Sequence, residues 1–211
     1  MKILSLVLPG MAVNCYIPYC EETLECAVID PGSNSERIEK LINKHNLKVR
    51  YILLTHGHFD HIGGVQYIKE LTGSAVAIHK DDADMLTDPI KNLSSYMGKE
   101  VVQIPADILL KDGMVLSIGR EKLKALHTPG HSRGSMSFLG DGVIFTGDLL
   151  FKSSVGRTDF PDSNYMVLMN SIRKKLMVLS DDLVVYPGHG RLTTIGEERT
   201  ANPFLYDMED F

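Results

Sequence analysis

Short apolar runs set off by glycine, proline and polar residues dominate the chain, and long amphipathic stretches are few. Lys2–Leu8, Asn14–Pro18, Glu25–Ile29, Arg50–Thr55 and Ala75–Ile78 read as strands in the first half. Glu121–Leu126, Met136–Leu139, Val143–Thr146 and Leu183–Tyr186 read as strands in the second. Gly140-Asp141-Gly142 tolerates positive φ and predicts a hairpin between two of them. Three helices are expected. The first follows a Ser33-x-x-Glu36 capping box, with Ile38, Leu41, Ile42 and His45 at helical spacing. The second runs through Ile62, Val65, Ile68 and Leu71, with Tyr67 beside them. The third runs through Tyr165, Met169, Ile172, Leu176 and Leu179, capped by Asp162 or Ser163. Asp81–Pro105 shows no clear period and reads as a loop with a short helix. Several strands follow one another too closely for strict strand–helix alternation. Mixed sheets covered by helices therefore fit better than a doubly wound parallel sheet.

Composition narrows the class. At 211 residues the chain suits one large domain, spanning 1–211. With 44% apolar and 23% charged residues, wholesale disorder is excluded. The 22 basic residues are outnumbered by 27 acidic ones, a net charge of −5, and sequence-independent nucleic-acid binding calls for the opposite sign. Cys15, Cys20 and Cys26 are odd in number and lack C-x-x-C spacing, so a disulfide framework is not expected and a reducing cytoplasm is the default compartment. The apolar start at Met1–Leu8 is too short for a signal peptide, and Pro9-Gly10 interrupts it. No run approaches the roughly 18 apolar residues of a membrane span. The expectation is a cytoplasmic protein with neither nucleic acid nor membrane as partner and with its oligomeric state open.

The chemistry lies in the histidines, of which there are 8. Three of them and a carboxylate crowd into Thr55-His56-Gly57-His58-Phe59-Asp60-His61, directly after the apolar run Tyr51–Leu54. Four such groups at the end of a strand cannot all enter a core. Neutral imidazoles with a carboxylate are a donor set for a borderline divalent ion such as zinc. In extended backbone His56 and His58 point the same way and can share one ion, while Asp60 and His61 turn into a helix and can reach a second. His131 in Thr128-Pro129-Gly130-His131-Ser132, Asp148 in Thr146-Gly147-Asp148 and His189 in Pro187-Gly188-His189-Gly190 each follow a strand beside glycine. Seven donors divide into two sets of three and one bridging carboxylate, the requirement of a two-metal hydrolase. His45 and His79 read as structural or solvated. His127 is a candidate to orient a ligand by a hydrogen bond.

These motifs, in this order, resemble the metallo-β-lactamase superfamily over essentially the whole chain. The resemblance implies an α+β fold, an αββα sandwich with two mixed β-sheets covered by helices and metals at one edge. Gly156-Arg157-Thr158-Asp159-Phe160-Pro161, the PGHG loop, Glu197 and Asn202-Pro203 resemble the glyoxalase II-like branch, with the length of its short, single-domain YcbL-type hydroxyacylglutathione hydrolases. By that resemblance His56, His58 and His131 hold one ion, Asp60, His61 and His189 the other, and Asp148 bridges them. Zinc is the first expectation, with iron or manganese as substitutes.

The implied reaction is hydrolysis of a thioester, S-lactoylglutathione or a similar hydroxyacylglutathione, by a metal-bridging hydroxide, with Asp60 accepting a proton from the bridging water. Arg157 stands where the branch has a basic residue and is a candidate carboxylate binder, with a loop salt bridge to Asp159 as the alternative. Asp159 occupies the position of an expected tyrosine, and no C-terminal helical domain for gripping glutathione is expected after His189. Two alternatives stay open. One is a mononuclear-iron persulfide dioxygenase, which shares the G-R-T-D-F segment; the other is a metallo-hydrolase of a different ester or lactone.

Overall fold

The computed structural model describes residues 1–33 and 36–206. Strands β1 (Lys2–Val7), β2 (Asn14–Tyr19), β3 (Glu25–Ile29), β4 (Lys48–Leu53), β5 (Ala75–His79) and β6 (Ile108–Leu110) form one sheet in that order. The first three are antiparallel neighbours, and β3 to β6 run parallel. The parallel part has helical crossovers α1 (Glu36–Lys44) and the pair α2 (Phe59–Ile62) and α3 (Val65–Thr72). The second sheet contains β7 (Val115–Ile118), β8 (Glu121–His127), β9 (Met136–Gly140), β10 (Val143–Gly147), β13 (Val184–Pro187) and β14 (Thr193–Thr194). A two-stranded ribbon, β11 (Leu150–Phe151) and β12 (Ser154–Val155), projects after β10. Helices α4 (Tyr165–Ser171) and α5 (Ile195–Ala201) cover the second sheet.

Period-two alternation builds the layers. Cys26, Val28, Ile52, Val76 and Ile78 face the first helical layer, where Ile38, Ile42, Val65 and Ile68 meet them. Their chain neighbours Ala27, Ile29, Leu53 and Ala77 face the other sheet and pack on Leu123, Ala125, Phe138 and Phe145. Ile144 and Val185 turn the opposite way, against Leu168, Ile172 and Ile195. Strands buried on both faces read as continuous apolar runs, which is why the sequence shows them so plainly. The result is the expected α+β sandwich of two mixed sheets between helices. Phe145 is fully buried, with the Tyr16 and Tyr186 rings 5.4 and 5.1 Å away. Phe145→Ala is therefore expected to cost about 3–5 kcal/mol, read as a lowered midpoint in chemical denaturation.

Several expected boundaries shift. The second helix breaks at Gly63-Gly64: Gly64 N donates to the Pro31 carbonyl at 2.6 Å, and a Cβ at Gly64 would collide with the backbone of Pro31 and Ser33. Ser33 does not cap α1, since its hydroxyl has no hydrogen-bond partner among the described residues. Glu36 is the first described residue of the helix, so the expected cap falls at the edge of the described residues. Helix α4 is capped by Asn164, whose side chain accepts from Val167 N at 3.1 Å. Asp162 is drawn to Arg133 at 3.0 Å, and Ser163 is engaged with the backbone of Phe160. The apolar period through Leu176 continues as a π-helical turn, Ile172–Leu176. Within Asp81–Pro105 two 3-10 turns form, at Ala83–Leu86 and Ser94–Met97. The unpredicted β6, β7, β11, β12 and β14 are two to four residues long, too short for a period to register. Cys15, Cys20 and Cys26 are free thiols. No helix among the described residues is long and apolar enough to cross a membrane.

Candidate metal centre

All seven candidate donors lie just beyond the carboxyl ends of strands. His56 and His58 follow β4, and His58 is extended (φ −66°, ψ 147°) at the start of α2, which carries Asp60 and His61. His131 follows β8, Asp148 follows β10 and His189 follows β13. The structure brings them together in two sets. Donor atoms of His56, His58 and His131 lie within 4.8 Å of one another, as do those of Asp60, His61 and His189. Asp148 sits between: its Oδ1 is 3.4 Å from His61 Nε2, and its Oδ2 is 3.6 Å from both His131 Nε2 and His189 Nε2.

The outer hydrogen bonds set the tautomers. Thr55 Oγ1 donates to Asp30 Oδ2 at 2.6 Å, so its contact with His56 Nδ1 at 3.1 Å makes that nitrogen the donor. The His61 Nδ1–H donates to Asp30 Oδ2 at 2.9 Å, and the His131 Nδ1–H to the Arg157 carbonyl at 2.8 Å. Each leaves an Nε2 lone pair directed into the centre, the usual way a protein orients metal-binding imidazoles. His58 presents Nδ1 instead, 3.0 Å from His131 Nε2.

Electrostatics agree with a cation at this position. Burial, then the neighbouring imidazoles, push His56 and His58 well below the ordinary histidine range, which favours the neutral form a metal ligand needs. Burial lowers His61, but Asp148, Asp30 and Asp60 outweigh it and lift the imidazole to about 10. Burial raises the Asp60 carboxyl, but His61 and His189 overcome that and hold it well below the usual carboxylate range. The acidic groups around His61 thus stabilise positive charge, which an ion supplies when Nε2 is a ligand. Two buried polar atoms, His56 Nε2 and Asp148 Oδ1, have no hydrogen-bond partner. Orphaned atoms of this kind, in residues whose donor atoms cluster within 4.8 Å with those of His61, fit one or two divalent ions.

Sequence reasoning missed the scaffold beneath the ligands. Asp30, buried and at φ +50°, also accepts from Thr55 N at 2.8 Å, and so aligns both His56 and His61. Asp82, also buried, accepts from Gly57 N at 3.1 Å, Ser132 Oγ at 2.6 Å and Gly134 N at 2.6 Å. It thereby ties the loop between His56 and His58 to the loop carrying His131. Asn14 Nδ2 donates to the carbonyls of Pro187 and Gly190, and Tyr16 OH to that of Pro187, pinning the His189 loop. None of these residues lies in a recognisable motif; the only signal was a polar residue ending or opening an apolar run.

Two outlying candidates engage residues other than the seven donors. His127 makes no hydrogen bond to a ligand: it stacks on His79 at 4.1 Å, and its Nε2 donates to the Arg133 carbonyl at 2.9 Å. It closes the loop that carries His131 and does not orient the imidazole. The Arg157 guanidinium is clasped by Asp159 through two bonds of 3.0 and 2.7 Å and lies 4.8 Å from the centre of the Phe160 ring. Gly188 shows how tight the centre is. A Cβ there would collide with Asp148 Oδ1 and the His61 ring. Gly188→Ala is expected to lower metal affinity by about 10–100-fold, the range for disturbing a ligand's support, measured by competition with a chelating dye.

A strand-edge centre of imidazoles and carboxylates, facing an open cavity on a two-sheet sandwich, defines a metal-dependent hydrolase site of the metallo-β-lactamase type. The sequence model of the metallo-beta-lactamase superfamily matches residues 8–189, and the chain belongs to that superfamily. It is similar to hydroxyacylglutathione hydrolase GloC of Haemophilus influenzae, at 34% identity over 97% of this chain and 98% of that one. The crystal structure of the BLEG-1 B3 metallo-beta-lactamase superposes with a TM-score of 0.93 at 37% identity, covering 97% of this chain and all of the other. TTHA1623, solved in a di-iron-bound form, gives 0.85 at 34% identity over 96% and 100%. A hydroxyacylglutathione hydrolase and a B3 metallo-beta-lactamase are thus about equally similar to this chain.

Proposed function

We propose that the protein hydrolyses thioesters, with a hydroxyacylglutathione as the first substrate to test. In this reading His56, His58 and His131 hold one ion, Asp60, His61 and His189 the second, and Asp148 lies between them. Bound there, a pair of divalent ions would supply hydroxide at neutral pH and polarise a carbonyl oxygen. The observation that carries the reading is the central position of Asp148, within 3.6 Å of a nitrogen from each set. The donors are imidazole and carboxylate without thiolate, and they border a cavity, as a catalytic rather than a structural centre requires.

The chain's own groups would then act as follows. Asp60 lines the cavity with its Oδ2 3.3 Å from His189 Nε2, and in this reading it accepts the proton of the attacking water. The water oxygen bonds to the carbonyl carbon, and the C–S bond breaks with its electron pair on sulfur. A thiolate leaves without prior protonation, so no separate general acid is required. Similarity to a hydroxyacylglutathione hydrolase supports the thioester class.

The test pairs metal analysis with two assays on one preparation. Two equivalents of metal with release of thiol from S-lactoylglutathione or simpler thioesters supports the reading. One equivalent of iron with oxygen uptake on glutathione persulfide would replace it with the dioxygenase alternative.

A further inference from the structure

The cavity above the centre, about 440 Å³, is built in two unlike parts. Its floor is polar, made by the metal-binding groups. Its wall is apolar and comes from five separate stretches of chain: Met11, Phe59, the segment with Leu93, Tyr96 and Met97, Phe151, and Phe160 with Pro161. Tyr96, Met97 and Met11 are 70%, 54% and 49% exposed, an unusual grouping of large apolar side chains in water.

The segment carrying Leu93, Tyr96 and Met97 is pinned in place. Asn92 is fully buried; its Nδ2 donates to the carbonyls of Met85 and Val101 at 2.9 and 2.7 Å, and its Oδ1 accepts from Ser94 N at 3.0 Å. Val101 N donates to Ser94 Oγ at 3.0 Å, closing the base of the 3-10 turn. Phe59 N donates to the Asn92 carbonyl at 3.0 Å, which fixes the segment to the helix bearing Asp60 and His61. Apolar side chains carried on backbone held this firmly, at the mouth of a polar centre, favour a preformed site for a ligand.

Charge points the same way. Arg157 is the one lysine or arginine among the described residues lining the cavity, and Asp159 already neutralises it. Lys99 lies 5.7 Å from the centre of the Phe59 ring and does not line the cavity. A substrate with several carboxylates would find no unpaired cation in the lining to receive them.

We infer that the wall receives an alkyl or aryl group of the substrate, so that the compound hydrolysed carries an apolar chain next to its reactive carbonyl or its leaving sulfur. The inference rests on the hydrolase reading for its chemistry, but its binding part is independent of turnover.

The experiment uses the metal-loaded full chain and two series. One series carries acyl chains of two to eight carbons on N-acetylcysteamine; the other carries acetyl on alkanethiols of matching length. Rising kcat/KM in either series, by about two- to fourfold per methylene, supports the inference, and the series that rises identifies which side of the scissile bond meets the wall. A flat response in both, with S-lactoylglutathione preferred, overturns it while leaving thioester hydrolysis intact. If no thioester is cleaved, the hydrolase reading fails and calorimetry decides the rest. Octanoate binding at least tenfold tighter than acetate upholds the apolar site, and equal affinities sink it. Met97→Asp and Tyr96→Ser, both at exposed positions, should flatten whichever chain-length dependence is seen. An unchanged slope in both variants would place the apolar group elsewhere.

Discussion

His58→Ala should bind less metal than the parent protein and hydrolyse thioesters more than about 100-fold more slowly. Removing the hydrogen-bond partner of a ligand typically costs about 10–100-fold in affinity or activity, and removing the ligand itself must exceed that. His58 is buried, its Nδ1 is 3.0 Å from His131 Nε2, and it lines the cavity. Its loss removes one of three donors and leaves the remaining nitrogens of that set facing a gap. Metal content by elemental analysis and thiol release should fall together. Full activity with one set emptied would mean that the reaction does not use that set.

Asp82→Asn should weaken metal binding without touching a ligand. All three partners of the Asp82 carboxylate are donors: Gly57 N, Ser132 Oγ and Gly134 N. An amide of the same shape turns an N–H₂ toward at least one of them, leaving buried donors face to face at about 1–3 kcal/mol each. The loops on either side of His58 and His131 then lose their common anchor. About 10–100-fold weaker metal binding is expected, together with a lower unfolding midpoint. The two effects can be separated by measuring stability in chelator, where a purely structural role would show the whole loss.

The layers and the ligands were legible in the chain for different reasons. Strands β3, β5 and β10 are buried on both faces, as is the Ile52–Leu53 end of β4, so burial wrote apolar runs into them. The candidate donors were legible because imidazoles and carboxylates at strand ends have few structural uses. The partner of each strand was not legible, because register is set by the opposing sheet; that is why short edge pieces such as β6 and β14 escaped notice. The break at Gly63-Gly64 depends on backbone from Pro31, some thirty residues earlier, and no local period reports it. Asp30 and Asp82 escaped because a single buried carboxylate looks like any turn residue until its donors are assembled around it. Arg157 was identifiable as a basic residue near the site, but its pairing with Asp159 two positions on decides what remains available to a ligand.

Neither half of the sandwich owns a complete set of donors. His56, His58, Asp60 and His61 follow a strand of the first sheet, whereas His131, Asp148 and His189 follow strands of the second. An ion at either position is therefore a cross-link between the sheets as well as a reagent. At a thousandfold excess over its dissociation constant, one such ion adds about 4 kcal/mol to the folded state by mass action alone. The protein's melting temperature should then track free metal concentration, and a cell short of metal would hold a more fragile protein as well as a less active one.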